Sequence, residues 1–532
     1  MKIRWKQLVV FATVAMISIS GWGAEYEFQT SAKVFAIGDI NGGYTELVSL
    51  LKEVQLIDTS QNWVGGDSHL VSLGNLPGEA GNGRKVISLF MKLEQQAIRA
   101  GGKLHVVLGD ADVEALAENS RLDSASRDWL RQLPIVIRIN KKVYAHGGIA
   151  DGFVDESLVS INEMASKELA AAKLSAVKEP EDENSLHPGV LSAEGPTRYR
   201  GTAMCHPYAE SFNTERFLKK VGARQLVIGH VPTGGLVVSR MNGSVILLDT
   251  GMSEGGQAGV LIDDENEVPY VHYLGSGHKA FIVPEKRQLS LWLSGMQDQE
   301  IEDFLRNSPV VEVKEIGTGV TNPWRVEQLH DGLKNSAVFK YVDTNPGIES
   351  NKFYNSRRSD DSDRYVYEVA AYKLDRALDL QLVPAAVVST VKGKEGALQD
   401  WVTNAINERD RLEDEIPFDG PCDQQEQYRL RIVFDILIYN EDRNLTNILW
   451  TKDNLMMMFI DHTRAFRSTK KRPYQYRKVN IRVSDLLKDK LESLNMQSLM
   501  LELGDYLHPK QMEALLARRD LILKEMKSTG PQ

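Results

Sequence analysis

A carboxylate at Asp442, an amide five residues on at Asn447 and a second carboxylate at Asp461 form the chain's most informative spacing. They lie in Phe434-Asp-Ile-Leu-Ile-Tyr-Asn-Glu-Asp-Arg-Asn-Leu-Thr-Asn-Ile-Leu-Trp450 and Met458-Phe-Ile-Asp-His-Thr-Arg-Ala-Phe466. Asp442 can orient a hydroxyl for attack. Asn447 and Asp461 can hold metal-bound phosphates, being the hard oxygen ligands that Mg²⁺ or Mn²⁺ prefer. Such chemistry needs positioning and charge neutralisation more than covalent steps. Lys340 closes an apolar run, where its ammonium can reach a phosphate, and Glu368 opens a helix and can pair with it. Gly317 and Gly319 let a backbone turn approach phosphates closely. Arg443 follows Asp442 and can stabilise its loop, and Gln399 lies in Ala397-Leu-Gln-Asp-Trp401.

A second constellation comes earlier. Short apolar runs end in Gly38-Asp39, Gly74-Asn75, Gly109-Asp110, His146 and Gly229-His230. In α/β sheets ligands collect at the carboxyl ends of strands, so five such ends direct polar groups at one region. The runs predict strands over 33–39, 69–75, 103–110, 142–146 and 225–230, with helices over 46–54 and 84–100. Residues 166–195 read as a surface helix and an insertion. The pattern changes near 296, where 297–307 reads as a helix ended by Ser308-Pro309. Strand–turn–strand character over 311–340 and a polar loop over 345–364 follow, and helices are expected to dominate from Tyr365 on.

At 532 residues the chain predicts two or three domains. A net charge of −10 argues against a nucleic-acid binder, because no basic surplus is available to neutralise phosphates. Residues 1–24 join a positive start (Lys2, Arg4, Lys6), an apolar run and small residues, the pattern of a signal peptide or an uncleaved anchor. Export to the periplasm or beyond is therefore expected, with membrane contact only through that segment. Cys205 and Cys422 are the only cysteines and fall in different predicted domains, which leaves one disulfide open.

Gly38-Asp-Ile-Asn-Gly42, Gly74-Asn-Leu-Pro-Gly-Glu79, Gly109-Asp-Ala-Asp112, Tyr144-Ala-His-Gly-Gly148, Tyr199-Arg-Gly201 and Ile228-Gly-His230 resemble, in order and spacing, the calcineurin-like metallophosphoesterases, closest to the Shewanella-like protein phosphatases. The resemblance implies a helix-flanked α/β sandwich over 25–293 and a site for Mn, Fe or Zn. Its ligands would be Asp39, Asp110, His146 and His230, with Arg200 on the phosphate. Asn41 stands where the family has a ligand His, Asn75 where it has the bridging Asp, Glu79 in place of a phosphate-binding Arg, and Ala111 in place of the acid that protonates the leaving group. An impaired site is implied.

Residues from about 310 to 470 resemble the atypical kinases that include phosphatidylinositol 3/4-kinases, HipA-type kinases and secreted kinases, and the domain they imply is expected over 297–532. The resemblance rests on Gly317-Thr-Gly319, Ala337-Val-Phe-Lys340, Tyr367-Glu368, Asn440-Glu-Asp-Arg-Asn444, Asn447 and Ile460-Asp461. It implies a bilobal α+β kinase-like domain using ATP with Mg or Mn. Asp442, Lys340, Glu368 and Arg443 would be the catalytic set, Asn447 and Asp461 the metal ligands, and Gly317, Gly319, Lys340 and Gln399 the nucleotide contacts. The acceptor is open among protein, lipid and sugar. Three readings stand: a kinase beside an impaired phosphoesterase, a phosphoesterase with a regulatory kinase-like domain, or a non-catalytic sensor of phospho-ligands or nucleotides.

Overall fold

The computed structural model describes residues 26–78, 82–116, 122–171, 189–264, 267–285, 296–317, 322–344 and 363–528. The leader-like segment 1–24, Glu79, Gly319 and the bulk of the 345–364 loop lie outside them. Among the described residues no helix is long and apolar enough to cross a membrane.

Two sheets stack face to face in the N-terminal half. One runs in the spatial order Lys279–Ala280, Tyr270–Tyr273, Gly259–Asp263, Val34–Ile37, His69–Ser72, Lys103–Val106. The other contains Val136–Ile139, Lys142–Ala145, Gln225–Ile228 and Val245–Leu247 among its seven strands. Strand alternation decides which residue enters which layer. Val34 and Ala36 face the opposite sheet together with Val71, Tyr144 and Val227. Phe35 and Ile37 face the helical layer with Leu47, Val86 and Phe90. The helix Gly83–Arg99 buries Val86, Ile87, Phe90, Leu93 and Ala97, a stripe at helical spacing. Val34–Ile37, His69–Ser72 and Lys103–Val106 pair in parallel, as do Lys142–Ala145, Gln225–Ile228 and Val245–Leu247. Their carboxyl ends therefore open on one edge of the sandwich.

The C-terminal half has its own core, which the helix Asp298–Asn307 joins through Ile301, Phe304 and Leu305. A five-stranded antiparallel sheet runs Val310–Glu315, Trp324–His330, Leu333–Lys340, Lys394–Asp400, Ala386–Val391, and the helix Val366–Ala377 packs on it. A three-stranded sheet (Ala405–Asn407, Ile448–Thr451, Met457–Phe459) and helices including Gln424–Ile438 and Pro509–Ser528 complete this half. The expectation that helices dominate after Tyr365 misses the strands Ala386–Val391 and Lys394–Asp400. Ala386-Val-Val-Ser-Thr-Val391 is rich in β-branched residues, and its pairing with the next strand fixes it as a hairpin.

The two halves meet along the helix Pro207–Lys220, which packs against Gln424–Ile438 and Asp485–Ser493. A disulfide joins Cys205 to Cys422 beside this seam. His206 Nε2 donates to Leu380 O and Tyr208 Oη to Leu378 O. Glu215 accepts the backbone N–H groups of Asp485 and Leu486, capping a helix of the other half. Glu210, buried on the same helix, accepts a 2.8 Å hydrogen bond from Tyr199 Oη, and burial pushes its carboxyl up to about 8.

Two outcomes follow from this seam. Reducing the disulfide, or substituting Cys422→Ser, lowers stability by about 2–4 kcal/mol, read as a drop in melting temperature that reductant reproduces only in the parent chain. Glu210 titrates higher folded than unfolded, so its contribution makes stability fall as pH rises from the ordinary glutamate range through about 8. Glu210→Gln flattens that fall, matching the parent near pH ~4 and exceeding its stability near pH ~9 by roughly 1–2 kcal/mol in denaturant titrations.

Candidate functional site

The strand ends of the sandwich bring Asp39, Asn75, Asp110, His146 and His230 together. Close backbone approach dictates the glycines: a Cβ at Gly38 would stand 2.2 Å from Leu248 O, and one at Gly74 2.4 Å from Gly109 N. Asn41, Asn75 and His230 all adopt left-handed backbone (φ 46°, 49° and 66°), which for His230 is strain of the kind that collects at functional sites. Asp112 anchors the frame by accepting the N–H groups of Asn75, Leu76 and Gly109.

One oxygen of Asp110 and one ring nitrogen each of His146 and His230 lie within 4.8 Å of one another. His146 Nε2 is 3.1 Å from Asp110 Oδ1 and 3.2 Å from His230 Nδ1. Two nitrogens and a carboxylate suit one Zn, Mn or Fe ion. Asp39 stands outside this trio. Its Oδ1 accepts His230 N at 2.9 Å and its Oδ2 accepts Asn75 Nδ2 at 3.0 Å. Asn75 Oδ1 in turn accepts Ala111 N at 2.9 Å, so the amide is engaged on both sides as a neutral clamp. The donor set fits one metal better than two.

Burial lifts Asp39 above the ordinary carboxylate range against the pull of His146. Burial also works to raise Asp110, but hydrogen bonding and charge from His146, with His230 behind, hold it far below that range. Burial would depress His146, yet Asp39 and Asp110 outweigh it and raise the ring to about 9, while burial and the His146 charge lower His230 to about 4. Arg200 Nε donates to His230 Nε2 at 3.2 Å. A guanidinium only donates, so the proton of neutral His230 sits on Nδ1, the atom that faces the trio. A metal held at Nδ1 would require that proton on Nε2, where His230 could no longer accept from Arg200. Asp249, unassigned from sequence, is also buried here, and burial with the Asp39 charge pushes it up to about 7.

In the C-terminal half Lys340 Nζ donates to Glu368 Oε1 at 2.6 Å and to Asp461 Oδ1 at 2.7 Å. Glu368 is fully buried and also accepts His462 N and Nδ1. Its charge is held by Lys340 and His462, which overcome burial and keep it far below the usual carboxylate range. Asn447 Nδ2 donates to Asp442 O at 2.9 Å, which fixes the loop between them. Arg443 is buried among Asp435, Asn447 O and Ile460 O, so it braces the loop from behind and does not face the cleft. Gln399 pairs with Val338, two residues before Lys340, and so shares Lys340's sheet face; its buried Nε2 has no partner among the described residues. Gly317 lies in the turn after Val310–Glu315 with φ 72°.

Sequence reading missed Arg464, which bridges Asp442 Oδ2 at 3.2 Å and Asp363 Oδ2 at 3.1 Å. It missed His462 as well. Both belong to Asp461-His-Thr-Arg464, and their positions directly after Asp461 were the available signal. Burial raises Asp442, with Arg464 opposing and Asp461 adding to the rise. Lys470, Lys471, Arg477 and Lys478 are exposed on the segment that Gln475 Nε2 ties to Asn440 O.

No protein-family profile matches the chain. Shewanella-like protein phosphatase 1 of Plasmodium berghei is 26% identical over 254 residues, which are 42% of this chain and 68% of the relative. A cold-active protein-tyrosine phosphatase of a psychrophilic Shewanella is similar at 24% identity and TM-score 0.41, covering 47% of this chain and 82% of that one. A Golgi casein kinase structure is similar at 16% identity and TM-score 0.34, covering 45% of this chain and 78% of that one. The phosphatase relatives cover the N-terminal half.

Titration of metal-stripped Asp461→Ala protein, which lacks the carboxylate of the second candidate site, with Mn²⁺ or Zn²⁺, followed by elemental analysis, is expected to load one ion per chain at the sandwich site. His146→Ala abolishes that loading, whereas Arg200→Ala leaves it intact. Retention of two ions would refute the one-metal assignment.

Proposed function

We propose that the chain is a metal-dependent phosphotransferase whose chemistry resides in the C-terminal half, and that it is exported. The observation that carries this reading is the ammonium of Lys340, held at 2.6 Å from Glu368 and 2.7 Å from Asp461 at the mouth of the Asp442 loop. That arrangement supports a nucleotide site: Lys340 meets phosphates, Glu368 orients Lys340, and Gln399 offers an unpaired donor on the same sheet face. Asn447 and Asp461 would hold Mg²⁺ or Mn²⁺, which supplies charge neutralisation for the transferred phosphoryl group. Asp442, raised by burial, orients the acceptor hydroxyl and takes its proton. Arg464 restrains Asp442 and adds positive charge beside it. The exposed cations Lys470, Lys471, Arg477 and Lys478 favour an acceptor with negative charge near its hydroxyl. Export is supported by the 1–24 pattern and by the disulfide, since such bonds persist in oxidising compartments.

A second reading rests on Asp110, His146 and His230: a one-metal phosphoesterase, weakened by the absence of an imidazole at Ala111 and of a bridging carboxylate at Asn75. Loss of a general acid alone costs roughly 10²–10⁴ in rate.

Incubating the chain from residue 25 onward with γ-labelled ATP and Mg²⁺ or Mn²⁺ should transfer label to an acceptor or to the chain itself. Asp461→Ala should abolish the metal-dependent thermal shift by nucleotide. Asp442→Asn should keep that shift and lose transfer by roughly 10²-fold or more. No shift with any nucleotide and metal would sink the kinase reading, and brisk aryl-phosphate hydrolysis lost in His146→Ala would favour the second.

A further inference from the structure

Apart from both phosphate sites, the N-terminal half carries an open groove of about 340 Å³. One wall is the helix Gly83–Arg99, presenting Arg84, Lys85, Ser88 and Lys92; Tyr44 and Gln61 form the other. Among the described residues no carboxylate lines it. Lys85, Ser88, Leu89 and Lys92 follow i, i+3, i+4, i+7 spacing and so make one stripe along the helix. Among the described residues none of the three cations is in an ion pair. Asp123 is the acid whose charge reaches Arg84, and its carboxylate is engaged in capping Ser126 N. Lys92 Nζ donates to Gln61 O at 3.0 Å, Tyr44 Oη donates to Gln61 Oε1 at 2.8 Å, and Lys85 Nζ lies 5.8 Å from the Tyr44 ring. The groove is thus a built, positively charged channel on a chain of net charge −10.

We propose that this groove docks an acidic polypeptide segment in extended form. Lys85 and Lys92 are seven residues apart, about 10 Å of helix rise. An extended polyproline II chain has three residues per turn and advances about 3.1 Å per residue, so acidic side chains three residues apart lie on one side, roughly 9 Å apart, and match the two cationic ends. Ser88 between them offers a hydroxyl to the peptide backbone, and the Tyr44 ring gives an apolar floor. A nucleic acid fits less well, because the groove has three cations, no row of stacking aromatics, and a net-negative chain around it.

Fluorescence anisotropy on the whole chain from residue 25 tests this. The probe is a labelled peptide of about ten residues with Glu at every third position, the extended spacing above. The control peptide replaces each Glu by Gln. Expected is saturable binding of the Glu peptide alone, weakened by added salt, and reduced about tenfold or more in Arg84→Glu/Lys92→Glu. These exposed positions leave the fold intact, checked by an unchanged melting temperature. Equal binding of both peptides, unchanged binding by the double variant, or tighter capture of a single-stranded oligonucleotide that displaces the peptide would each overturn the proposal.

Discussion

One ammonium group organises the C-terminal half. Lys340 ends a strand of the five-stranded sheet, Glu368 belongs to the helix packed on it, and Asp461 follows the last strand of the separate three-stranded sheet. Three elements from distant parts of the chain are pinned at one nitrogen. Buried ion pairs of this kind stabilise little, since desolvation offsets attraction, but removing one partner strands a charge and costs about 3–5 kcal/mol. Their return is geometric: they permit one arrangement of sheet, helix and loop. The same arrangement holds the Asp461 carboxylate beside the Lys340 ammonium. Glu368 is fixed a second time by His462, so the lysine's anchor does not depend on the lysine alone.

The sandwich site shows the opposite logic. Its frame is complete: glycines at close approaches, left-handed asparagines, and Asp112 gathering three backbone donors. What differs is charge. A carboxylate at position 75 would bring a second anion beside Asp39 and demand cations to offset it. Asn75 removes that demand by donating to Asp39 and accepting from Ala111. The buried pair is stable without a second metal. Asp39 and Asp110 both direct negative charge at the buried His146 ring, which is why that ring is held protonated.

Much of this was legible in the sequence for local reasons. Apolar runs ending in Gly-Asp or His are read from a few adjacent residues, and they emerge as parallel strands with their ends on one edge. Lys340, Glu368, Asp442 and Asp461 were recognisable from type and order. Their mutual distances were not, because each depends on nonlocal pairing. The pairing of Leu333–Lys340 with Lys394–Asp400, which sets Gln399 on Lys340's face, carries no sequence-local mark. Arg464 escaped notice because an arginine three residues past a metal ligand has a partner only once Asp363 and Asp442 are brought to it. The role of Asn75 as a satisfied clamp was also hidden, since a substitution reveals what is lost and not what replaces it.

The seam between the halves links these two kinds of site. Arg200 precedes the short helix Gly201–Met204, and Cys205 follows it directly. Cys422 sits just before Asp423, whose side chain caps the helix Gln424–Ile438, and that helix ends at the Asn440–Asp442 loop. A single disulfide and one helix therefore span from the Arg200–His230 contact to the Asp442 loop. Spatial continuity alone is not coupling, which requires an element with two arrangements. The Arg200–His230 hydrogen bond is such an element in chemical terms, because the tautomer that permits it excludes a metal at Nδ1. The Cys205–Cys422 strap limits how far the segment carrying Arg200 can move relative to the second site. Any rearrangement at Arg200 must then be absorbed within about five residues or be passed across the seam.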